Sequence, residues 1–110
     1  MAGIFVLKPS GDQFVFNLQA ANGQVILSSE RYTTRASARD GIESVRQNAA
    51  QAARFERLSS AAGEPYFVLK AANGQVIGRS ETYSGNAAME NGIQSVMQNA
   101  PDARLEERQS

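Results

Sequence analysis

A chain of 110 residues, 42% of them hydrophobic, is long enough for one domain with a buried core and too short for two. Eleven Lys and Arg balance eleven Asp and Glu, so the basic excess that phosphate neutralisation demands of nucleic-acid binders is missing. The chain has no Cys and no His, which removes disulfides, thiolate and imidazole metal ligands, Cys nucleophiles and His relays.

The N-terminus, MAGIFVLKPSGDQ, has no basic segment, and its apolar run of four residues is too short for a signal peptide or a membrane span. A soluble, cytoplasmic protein is expected, with no membrane association. Ile4–Lys8 reads as the first strand, with Phe5 and Leu7 turned inward. Phe14–Leu18 is rich in β formers and alternates in polarity over its second half, so it reads as the second.

Ala20–Ile26 then spells AANGQVI, and the same heptapeptide returns at Ala71–Ile77, an offset of 51. Across residues 20–49 and 71–100, 18 of 30 positions are identical. ARFE at 53–56 matches ARLE at 103–106 at an offset of 50, so repeat one carries one extra residue after its helix. A unit of about fifty residues has little interior of its own. Two copies sharing one core, with pseudo-two-fold symmetry, are expected: residues 1–52 and 53–110, the segment near 53–60 serving both.

Asn-Gly in each heptapeptide predicts a hairpin turn, since these residues accept positive φ. A two-residue loop places Val25 and Leu27 on the Leu18 face; a three-residue loop with Gly23 as the bulge places Ile26 there. The second is favoured, because Ile26 recurs as Ile77 whereas Leu27 becomes Gly78. The third strand ends near Ser29. Thr33 and Ser84 are the expected N-caps of helices that run to about Asn48 and Asn99. The inward stripes are Ala38, Ile42, Val45 and Met89, Ile93, Val96, at i, i+4, i+7. Gly41 and Gly92 lie beside these stripes. A mid-helix Gly costs about 1 kcal/mol relative to Ala, so its recurrence predicts a close helix–sheet approach. Arg54–Leu58 and Ala103–Glu107 are the closing strands. The resulting order is β-β-β-α-β-β-β-α-β. It predicts an α+β fold with one antiparallel sheet and both helices on one face.

FNLQAANG (16–23), FVLKAANG (67–74), SSERYT (28–33) and GIESVRQNA (41–49) together resemble the YegP-like proteins, the UPF0339 family of small bacterial proteins of unknown function. The resemblance covers nearly the whole chain. It implies tandem β3-α-β units in a single sheet, with the last strand of each half exchanged into the other, and single-repeat members that reach this form as dimers. It assigns no catalytic or ligand residues. This chain departs from the pattern in its second helix, where Gly85-Asn86 and Met97 stand for Thr34-Arg35 and Arg46.

Three surfaces are candidates. The sheet face away from the helices carries Ile4, Val6, Val15, Tyr66 and Val68, and an apolar patch there would meet a protein partner. Arg35, Arg39 and Arg46 form a basic stripe on helix one, suited to phosphates or an acidic partner, although Arg39 and Glu43 are also spaced as an ordinary i,i+4 pair. Glu30 and Glu81, in the S-E-x-Y motifs, would form two symmetric polar pockets with Tyr32 and Tyr83, or else Tyr simply closes a sheet–helix corner. AANGQ has one Gly per turn and precedes a strand, so it is no phosphate loop. The expectation is a non-enzymatic interaction module, monomeric, without metal or cofactor. The alternative is a small-ligand or nucleic-acid binder using the arginines.

Overall fold

The computed structural model describes residues 3–109. Its elements are β1 (Ile4–Ser10), β2 (Gln13–Gln19), β3 (Val25–Ser28), α1 (Arg35–Asn48), β4 (Phe55–Ser59), β5 (Pro65–Lys70), β6 (Val76–Arg79), α2 (Asn86–Asn99) and β7 (Arg104–Glu107). Short 3-10 turns at Ala52–Arg54 and Ala100–Asp102 lead into β4 and β7. The seven strands form one sheet in the order β4-β5-β6-β3-β2-β1-β7. Each closing strand crosses into the other half: β4 follows α1 but pairs with β5, and β7 follows α2 but pairs with β1.

The sheet is mixed, not wholly antiparallel. β7 lies parallel to β1, with Ile4 opposite Arg104 and Leu7 opposite Glu107. The helix carries the chain back over the sheet, so β7 enters at the end where β1 begins. β4 leaves its helix in the same way but takes the seat that β1 occupies in the first half: Phe55 opposes Leu69 as Phe5 opposes Leu18.

Alternation in the strands sends Phe5, Leu7, Phe16, Leu18, Phe67 and Leu69 to one face, where they meet Ile42, Val45, Ile93 and Val96 in a single buried cluster. Both helices therefore cover the same face. No helix among the described residues is long and apolar enough to cross a membrane.

The AANGQVI turns are three-residue loops. Gly23 (φ 84°) and Gly74 (φ 87°) take the left-handed position, and Gly23 N–H donates to the Ala20 carbonyl at 2.8 Å. Ile26 lies in the core cluster with Leu18, as expected, but so does Leu27, which was expected to face away. Leu27 stands opposite Leu18, and Ile26 is the extra residue of a bulge between Leu18 and Gln19. Gly78 replaces Leu27 in the second repeat because this position flanks the pseudo-two-fold axis. The axis runs through the β3–β6 pairing of Ser28 with its own repeat equivalent, Arg79. A Cβ on Gly78 would lie 2.6 Å from Leu27 Cδ2, so one side of the axis holds the leucine and the other must yield.

The caps fall one residue later than expected. Thr34 Oγ1 accepts from Ser37 N at 3.0 Å, and Gly85 stands at the N-cap of α2 without a side-chain bond. Thr33 and Ser84 precede the caps, because Tyr32 and Tyr83 are still held by backbone bonds to β2 and β5.

Candidate functional site

Two of the three candidate surfaces are spent on structure. On the open face of the sheet, Val6 and Val68 are only 1% and 2% exposed. Long polar side chains on the neighbouring strands close over them. Glu106 opposes Val6, an ion pair of Glu56 with Lys70 flanks Val68, and Arg79 lies 5.6 Å from the Tyr66 ring centroid. Ile4, Val15 and Tyr66 are half-buried. The apolar patch expected from alternation is thus broken by charged residues from β4, β6 and β7.

The basic stripe is a clamp. Arg39 donates twice to the Glu107 carboxylate, both at 2.8 Å, and Arg35 reaches Glu107 at 3.3 Å and the Arg108 carbonyl at 2.9 Å. Arg46 donates to the Ala103 carbonyl at 2.6 Å and lies over the Phe5 ring. Glu43 pairs with Arg46, not Arg39. All three arginines of α1 therefore hold the exchanged strand β7. The Arg39 hydrogen bonds keep the Glu107 carboxyl below the usual carboxylate range. No sequence signal revealed this, because the acid is some seventy residues from the bases and reaches them only through the exchange.

The S-E-x-Y motifs are different. Each serine hydroxyl stands in for a backbone carbonyl where a strand ends. Ser29 Oγ accepts from Phe16 N at 2.9 Å and donates to the Glu30 carbonyl at 2.7 Å; Ser80 repeats this with Phe67 and Glu81. Tyr32 then stacks on Phe16, with ring centroids 5.9 Å apart and planes at 18°, and Tyr83 stacks on Phe67. The rings lie against Gly41 and Gly92. A Cβ at Gly41 would sit 2.8 Å from Tyr32 Cζ and 3.0 Å from Phe16 Cε2. The glycines thus make room for a tyrosine between helix and sheet. Burial, and secondarily Glu30 and Glu81, raise both tyrosine hydroxyls above their ordinary pKa.

Around each corner a groove opens. One has a cavity volume of about 500 Å³ and lies between α1 and the second hairpin; Glu30, Tyr32, Asp40 and Ser44 face Asn73, Gln75 and Val76. The other, about 310 Å³, lies between α2 and the first hairpin; Glu81, Tyr83, Asn91 and Ser95 face Asn22, Gln24 and Val25. The repeated heptapeptide therefore reaches across the axis to the other repeat's helix. Of twelve pairs of equivalent positions that line both grooves, nine are identical, against nine of the other eighteen aligned positions. A third cavity, of about 320 Å³, sits at the axis between Ser28, Arg79, Glu30 and Glu81.

Structural work accounts for several of these identities. Asn22 and Asn73 close their turns by accepting from Gln24 N and Gln75 N. Tyrosine and glycine interlock. The side chains of Gln24, Gln75, Glu30 and Glu81 are exposed, and no hydrogen bond to any of them occurs among the described residues. Among the described residues no group of three or more Asp and Glu is placed to hold a metal ion.

A family model described as "Domain of unknown function (DUF1508)" matches the chain twice, over residues 10–56 and 60–107. A UPF0339 protein of Bordetella pertussis is 58% identical over 103 residues, covering 94% of this chain and 93% of its own. A UPF0339 protein of Mannheimia succiniciproducens is 56% identical over 99 residues, covering 89% and 88%. Among solved structures, the solution NMR structure of the E. coli protein of unknown function YegP matches with a TM-score of 0.93 at 45% identity, covering 100% of this chain and 96% of that one. The UPF0339 protein SO3888 of Shewanella oneidensis matches at 0.91 and 46%, covering 97% and 92%.

Proposed function

The chain belongs to the UPF0339 family, whose two DUF1508 repeats it carries in tandem, and from that premise we propose that it is a non-enzymatic binding module whose ligand lies in the paired grooves. One observation carries this reading. Gln24 and Gln75, with Glu30 and Glu81, are exposed, identical in both repeats and without a structural partner. The exposed helix position Glu43/Gln94 has meanwhile diverged. A polar residue kept at a groove without a bond of its own is available to a ligand.

Charge selects the class of ligand. Groove two holds Glu81 and no base; groove one holds Glu30 and Asp40 against Arg31. Both favour a neutral or cationic polar ligand over a phosphate, and with α1's arginines committed to β7 this sets the nucleic-acid reading aside. Binding rather than turnover is the role, because the open grooves offer amides, hydroxyls and carboxylates but no His or Cys to act as base or nucleophile. The protein acts as a monomer in the cytoplasm.

A two-dimensional NMR titration with spermidine, and with inorganic phosphate as the contrast, tests the reading. Spermidine is expected to shift the amides of residues 22–24 and 73–75, and E30Q/E81Q to lose most of that shift. Phosphate moving the same amides more strongly, or spermidine moving neither turn, sinks the proposal.

A further inference from the structure

The first half of the molecule has a strand seat that is filled, and the second half has the same seat empty. The pseudo-two-fold relation maps β1, β2 and β3 onto β4, β5 and β6. β7 lies in parallel against the outer edge of β1, where Leu105 opposes Phe5 and Glu107 opposes Leu7. Among the described residues no strand lies against the outer edge of β4, because the closing strand of repeat one was used as the opening strand of repeat two. The N–H of Phe67 goes to Ser80 Oγ and its carbonyl accepts from Ser80 N, both on the β6 side. Arg57, opposite Phe67, therefore turns its own N–H and carbonyl outward. In the first half the equivalent Leu7 carbonyl accepts from Arg108 N at 2.8 Å.

We propose that the free edge of β4 is a docking site for an extended segment of a partner protein that adds in parallel and carries the pattern of β7, Ala-x-Leu-x-Glu. Such strand addition draws affinity from the backbone and specificity from alternate side chains. The apolar residue lies beside Phe55, as Leu105 lies beside Phe5. The carboxylate falls opposite Arg57. The cation has changed place between the halves: in the first, Leu7 stands on the strand and Arg39 on the helix; in the second, Arg57 stands on the strand and Glu90 on the helix, already paired at 2.9 Å. An incoming acid shares Arg57 with Glu90, so this seat is weaker and reversible, where that of β7 is permanent. A second copy pairing antiparallel through β4 is disfavoured in the register that overlaps all of Phe55–Ser59, because that register sets Arg57 of each copy opposite the other's.

The test adds a synthetic peptide with the sequence of residues 100–109 to the intact protein and follows backbone amides by NMR. Shifts at Phe55 and Arg57 and slowed hydrogen exchange at Arg57 are expected, the Phe55 amide being already bonded to the Ala52 carbonyl, with at least tenfold weaker binding for R57E, and at least tenfold tighter binding for R57L/E90R, which rebuilds the Leu7–Arg39 arrangement. The double variant remains decisive if R57E perturbs the fold. Shifts confined to β1, no shift at β4, or loss of the free edge to self-association without peptide would each overturn the proposal.

Discussion

At the scale of single residues, the glycines of the two helices show how an apparent weakness is used. Each is a poor helix former at a buried position, yet it admits the ring that Tyr32 or Tyr83 lays over its phenylalanine. Gly41→Ala gains helix propensity and must displace that ring, so the change is expected to destabilise; overpacking of this kind costs about 1–3 kcal/mol. Urea unfolding measures it. Tyr32→Phe is expected to recover part of the loss, since the hydroxyl is one of the atoms the new methyl meets. A G41A protein as stable as wild type would show that the tyrosine, not the glycine, sets the corner. The recurrence of both residues was visible in the sequence. Their contact was not, because nothing in a linear pattern says that a residue before the helix folds back onto its second turn.

Among the elements, β7 is the one whose attachment depends on charge. Four residues pair it with β1, and Arg35, Arg39 and Arg46 hold its two ends. Because the folded Glu107 carboxyl titrates below its ordinary range, its ion pairs are complete above that range and are lost as pH falls through the depressed value. Protection of the Arg108 amide is therefore expected to fall as pH drops below about 4, the neighbourhood of an unperturbed Glu. In E107Q it is expected to be lower at neutral pH and to lack that step; hydrogen exchange with correction for intrinsic rates distinguishes the two. The element order, the C-terminal ends of the helices and the shared face were all legible from periodicity, turn residues and the duplication. The parallel direction of β7 and the role of the arginine stripe were hidden, since both follow from a crossing between halves. Alternation assigned Val6 and Val68 to the open face correctly, but it carries no information on the long side chains that shelter them. The grooves were half legible: S-E-x-Y and AANGQVI each stood out, and only the fold shows that they face one another.

For the molecule as a whole, duplication places both partners of the exchange on one chain at high effective concentration. The radius of gyration, 13.2 Å, is what a compact single chain of this length has, about 13 Å. A single species of 11.8 kDa is expected in sedimentation equilibrium across concentrations; twice that mass persisting on dilution would mean that β7 leaves its own chain at the 3-10 turn Ala100–Asp102. The leucine and glycine that meet at the axis carry the history of this arrangement further. Two identical halves facing one another would bring leucine against leucine, at a spacing that does not accommodate even one added methyl group. Once Leu27 and Gly78 had parted, the leucine-bearing half could no longer pair with a copy of itself at this spacing: for that half the joining is a ratchet, because it needs the glycine of the other repeat across the axis.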